Sequence, residues 1–100
     1  MTKMRVIRKG IIEYLEKVGE NSEFSGFKLL AYVRGVLLFY GMNAFDGTIL
    51  KALREMRMDN IIDYVCLDKQ ASMYYLYKIN RCFLKMHMKK LGITEGGKNV

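Results

Sequence analysis

The sequence predicts an α+β domain, mainly α, in which three helices are followed by a β-hairpin and an extra C-terminal helix. Three observations carry this. Apolar residues recur at three- and four-residue steps through the first sixty positions. The period drops to two after Asn60, and the alternating run is split by a polar gap. Helical spacing then returns from Ile79. One hundred residues, 51% of them hydrophobic, suit one packed domain and leave no room for a second core. That domain is expected over 1–93, with its last helix at 79–93 and a disordered tail at 94–100.

The first helix is expected over Val6 to Gly19. Ile7, Ile11, Tyr14, Leu15 and Val18 form one apolar stripe, and Glu13 and Lys17 form an i,i+4 pair outside it. Gly19 and "ENSE" end it. The basic residues before and inside its start, Lys3, Arg5, Arg8 and Lys9, are read as a loose arm adding non-specific attraction. Ser25 is the expected N-cap of a second helix, with Phe24 as its staple residue. This helix is apolar on more than one face, as suits packing between two others. Gly35 is expected to end it near Arg34, leaving "GVLLFYGMNAF" as a semi-buried connection.

"DGTILKALREMRM" is the third helix, with Asp46 as N-cap. At 100° per residue Ile49, Leu53 and Met56 coincide, with Leu50 at their edge. Thr48, Lys51, Glu55 and Met58 fall opposite, with Arg54 beside them. Asn60 tolerates the left-handed conformation that stops a helix. "IIDYVCL", the turn "DKQAS" and "MYYLYKI" then read as a hairpin that must lie on the helices, since two strands alone are marginal. Alternation puts Tyr75 and Tyr77 on one face and Tyr74 on the other. In the last helix Ile79, Cys82, Phe83 and Met86 make an apolar stripe, and Arg81, Lys85 and Lys89 make a basic one.

The net charge of +7 would attract nucleic acid, an anionic surface or an acidic protein. No apolar run approaches the roughly 18 to 20 residues of a membrane span. The N-terminal stretch has no long apolar region, so no secretory signal is expected. Cys66 and Cys82 lack the spacing of a zinc site and read as buried thiols of a reducing cytoplasm. The one histidine, His87, has no carboxylate or cysteine at helical spacing, and no glycine-rich loop follows a strand. No enzyme chemistry and no cofactor are expected.

Helix, helix, helix, hairpin, helix is the element order of a winged helix-turn-helix. The residues extend the likeness: "FSGFKLLAYVR" followed by "FDGTILKALREMRMDNIIDYVCLDKQASMYYL" resembles the small winged-helix domains of prokaryotes and their viruses. Asp46, Thr48, Leu53, Arg54, Met56 and Arg57 stand at the family's helix positions, and Ser72, Tyr74 and Leu76 in its return strand. The chain departs from the pattern at Lys51, often Arg in the family, and at Asn60, usually Gly. It departs also in the apolar stretch between the second and third helices. The resemblance implies double-stranded DNA binding, with the third helix in the major groove, in a cytoplasmic transcriptional regulator.

On that reading Thr48 and Lys51 reach base edges or phosphate, and Arg54 reaches phosphate. Glu55 either accepts from cytosine or pairs with Lys51. Lys28 meets the backbone that the second helix crosses. Lys69 and Gln70, with Ser72, form the wing tip. Arg57 can instead tie the third helix to its domain. Ile79, Phe83 and Met86 would join two copies through the last helix. The alternative is a protein-interaction module using the 35–42 segment and that helix. A third reading stacks single-stranded bases on the hairpin tyrosines.

Overall fold

A computed structural model of the chain describes residues 2–80. They form α1 (Lys3–Val18), β1 (Ser22–Ser25), α2 (Gly26–Phe39), α3 (Asp46–Met58), β2 (Ile62–Asp68) and β3 (Met73–Ile79). The strands make one antiparallel sheet in the order β1-β3-β2. The α+β class, the three helices and the hairpin stand as the sequence predicts. The expected fourth helix, with Cys82, Phe83 and Met86, lies outside the described residues, as does the tail.

α1 begins at Lys3, three residues before the expected start at Val6. The Thr2 hydroxyl accepts from the Arg5 amide at 3.4 Å, and its carbonyl accepts from Val6. This cap draws Lys3, Arg5, Arg8 and Lys9 into the helix, so they are not a loose arm. The outer ion pair is Lys9–Glu13 at 2.9 Å, not Glu13–Lys17. Lys17 instead lies 4.8 Å over the Tyr32 ring.

The residues expected only to lead into α2 also form a strand. β1 pairs with β3 from Ser22–Leu76 to Ser25–Met73 and closes the hairpin into a three-stranded sheet. Ser25 still caps α2, accepting from Lys28 at 3.4 Å. α2 does not stop at Gly35 but runs on to Phe39. Its terminator is Gly41, at φ 69°. The Gly41 amide donates to Leu38 and the Met42 amide to Leu37, the paired bonds of a Schellman motif. Gly35 has no positive φ to supply, so it continues the helix.

The N-cap of α3 is Phe45, one residue before the expected Asp46, and no side chain bonds there. Asp46 is occupied elsewhere: its carboxylate accepts from Arg34 at 2.6 Å. The C-terminus follows expectation. Asn60 sits at φ 62°, its amide donates to Arg57, and the Ile61 amide donates to Met56.

The core lies where the helices meet the inner sheet face. Ile7, Ile11, Leu15, Val33, Leu37, Ile49, Leu53, Met56 and Leu76 are all essentially inaccessible. Phe24 stacks on Tyr74 at 5.2 Å and meets Tyr64 edge-on at 6.2 Å, joining β1 to the hairpin. Two register shifts interrupt β2–β3, leaving Tyr77 and Leu67 without an opposite residue. Both are about half exposed. Cys66 is exposed on β2, contrary to the buried thiol expected, although its cross-strand neighbour Tyr74 packs against the core. Ile79 closes β3 opposite Ile62 and is buried, so it belongs to the sheet and not to a helical stripe.

Candidate nucleic-acid interface

α3 is bound to the core through Ile49, Ala52, Leu53 and Met56, which turns Lys51, Arg54, Arg57 and Met58 outward. Thr48 is half-buried at the edge of this face. The charges of α3 are not balanced within the helix. Asp46 is taken by Arg34 of α2. Glu55 accepts from Arg8 of α1 at 3.0 Å, and the same guanidinium stands 4.0 Å from Asp59. The arginines of two other helices therefore neutralise the acids along α3. Lys51 and Arg54 make no ion pair with any described residue.

Glu55 is thereby set by its bond to Arg8, a partner neither of the two sequence readings supplied. Arg8 lies 47 positions away, so no local spacing could have indicated it. Arg57 lies 5.2 Å from the Tyr64 ring, which fits the reading that it holds α3 to the hairpin. Burial pushes the Tyr64 hydroxyl above its ordinary pKa, and the neighbouring Arg57 partly opposes that rise.

The hairpin tip is ordered from within. The Asp68 carboxylate accepts from the amides of Gln70 and Ala71 at 3.0 and 3.1 Å. Lys69 and Gln70 are exposed on this turn. The tip is also tied to the start of α2, because the Gly26 amide donates to the Ser72 carbonyl at 2.7 Å. A Cβ at Gly26 would collide with the Ser72 hydroxyl and lie 2.9 Å from the Tyr74 ring. Lys28, two residues on, is exposed. The fold therefore joins the hairpin turn to the first turn of α2, and carries Lys51 and Arg54 together on α3.

Tyr75 and Tyr77 share the outer sheet face, with ring centroids 4.9 Å apart, while Tyr74 packs inward. Glu23 is the cross-strand neighbour of Tyr75, so an acid borders this pair. Among the described residues no group of acidic, cysteine or histidine side chains is placed to hold a metal ion. None of the described helices is long and apolar enough to cross a membrane. Comparison with known protein families, characterised proteins and solved structures finds no match to this chain.

Proposed function

We propose that the chain is a winged-helix protein that binds double-stranded DNA, with α3 in the major groove and the β2–β3 hairpin as the wing, and that it acts in transcriptional regulation. The reading is supported most by the uncompensated charge of α3. Its acids are neutralised by Arg8 and Arg34, and Lys51 and Arg54 make no ion pair with any described residue. The element order, the short β1 paired to the return strand, and the bond between hairpin turn and α2 also favour a winged helix.

Affinity would come mainly from lysine and arginine on phosphate: Lys51 and Arg54 on α3, Lys28 on α2, Lys69 at the wing tip. Thr48, Lys51 and Gln70 are the groups for limited base or groove contact. Glu55, held by Arg8, is better suited to orienting α3 than to reading cytosine.

The test is a titration of random-sequence duplex, in which binding should fall steeply between about 50 and 200 mM salt. Changing Lys51 and Arg54 to Ala should weaken binding by about tenfold or more and reduce the salt slope by about two, with the melting temperature nearly unchanged. Duplex affinity that ignores both salt and this double change would rule the reading out.

A further inference from the structure

α2 has two apolar faces, and the described residues cover only one. Leu29, Leu30, Val33 and Leu37 are buried against the rest of the domain. Opposite them on the helical wheel lie Phe27, Ala31, Gly35, Leu38 and Phe39. Phe27 is 61% exposed, Leu38 66% and Phe39 84%, and Ala31 and Gly35 are exposed between them. Nothing lies within 4 Å of where a Gly35 Cβ would stand. A contiguous outward apolar stripe on one helix calls for a covering surface.

We propose that this face of α2 packs against the same face of a second copy of the chain. Its residues read symmetrically: Phe27, Ala31, Gly35 and Phe39 are spaced four apart, with the small pair in the middle. Crossing two such helices antiparallel sets Ala31 against the partner copy's Gly35, and Phe27 against its Phe39. The small residues permit close backbone approach, and the aromatic rings close over both ends. A two-fold contact requires a surface complementary to itself, and this stripe meets that condition. The i, i+4 row predicts a crossing angle of about −50°.

Local charge does not oppose a copy at this face. At the flanks, Lys9 is paired with Glu13 and Arg34 with Asp46, so these side chains offer little to nucleic acid or an acidic protein. The remaining cation of the face is Lys28. In the antiparallel arrangement the two Lys28 side chains are separated by about 15 Å along the helix, from a rise of about 1.5 Å per residue. That exceeds the Debye length of about 8–10 Å. A chain of net charge +7 can thus meet its copy here with little local repulsion. Side chains of this size would bury roughly 400–500 Å² per copy. Specific interfaces take about 800 Å² per partner, so the dimer is expected to depend on concentration.

The contact does not rest on the DNA reading, and salt separates the two. Duplex binding should weaken as salt rises, whereas this contact should hold or tighten as the repulsion between two basic chains is screened. Sedimentation of the full chain from about 1 to 200 µM, at about 0.1 and 0.5 M salt, should show the mass rising toward two chains, more readily at high salt. Gly35→Glu and Phe39→Asp should each shift that rise at least tenfold higher in concentration. For Gly35→Glu the dilute melting temperature should not fall, because nothing within one copy lies near that position. A single-chain mass throughout for the native protein would overturn the proposal. So would a dimer that survives both changes, or a single-chain species whose Phe27 and Phe39 rings prove shielded from a soluble paramagnetic probe.

Discussion

Gly26 and Gly35 stand in the same helix for opposite reasons. At Gly26 a methyl group would run into the Ser72 hydroxyl and the Tyr74 ring, and the Ser72 carbonyl already receives the Gly26 amide. The wing base can approach α2 only because no side chain intervenes. Gly26→Ala should therefore destabilise the domain by about 1–3 kcal/mol, the usual range for overpacking. At Gly35 an added methyl meets nothing. Gly35→Ala should stabilise the dilute chain by about 0.5–1 kcal/mol, the propensity difference in a helix interior. Chemical denaturation of both variants checks the pair. Equal effects of the same sign would mean that one environment is misassigned.

At the scale of elements, the relation of α1 to α3 governs the charge on the candidate reading face. Arg8 is largely covered, with 13% of its side chain exposed, and it holds Glu55 and approaches Asp59. Removing it would return a carboxylate to the side of α3 that carries Lys51. Arg8→Ala should weaken duplex binding several-fold, although Arg8 sits on a different helix. Adding Glu55→Ala to that variant should restore most of the loss. An Arg8 that contacts phosphate directly would give no such recovery, so the double-mutant cycle separates the roles. The hairpin is attached by a different chemistry. Phe24, Tyr64 and Tyr74 pack as rings, and Arg57 covers Tyr64.

For the whole molecule, three groups among the described residues link stability to alkaline pH. Burial raises the Tyr64 and Tyr14 hydroxyls above 10.0, and the bond to Glu13 raises Lys9 above 10.5. Each holds its proton more tightly in the folded chain than in the unfolded one. Their contribution is fully present below about pH 10 and is lost as pH rises through the folded values. Lys9 and Tyr14 are partly exposed and weigh less, while Tyr64 is only 3% exposed. Denaturation midpoints should therefore change little from these groups between about pH 7 and 9, then fall above about pH 10. Tyr64→Phe should make that fall shallower, since no phenolate then needs to leave water at this position. An unchanged alkaline slope would show that Tyr64 does not contribute.

Local chemistry made much of this readable. Periodicity placed α1, α3 and the hairpin because a helix or strand in a small domain must turn one face to the core, and that leaves a mark every 3.6 or 2 residues. Asn60 was legible as a stop because few residues accept a left-handed φ. The split of Tyr74 from Tyr75 and Tyr77 followed from alternation alone. Other features depended on residues far apart in the chain. β1 is four residues long and is a strand only because β3 lies beside it. α2 passes Gly35 because its inner face is held by the core, and only Gly41 supplies the turn. Lys51 and Arg54 were visible as outward cations from spacing. That the acids beside them are neutralised was not, because Arg8 and Arg34 arrive from other helices. The sequence by itself determined the three helices and the hairpin, the inner faces of α1 and α3, and the basic face of α3. Only the tertiary structure decided which charges on that face stay free and which face of α2 stays uncovered, because pairing and burial depend on what the fold brings near.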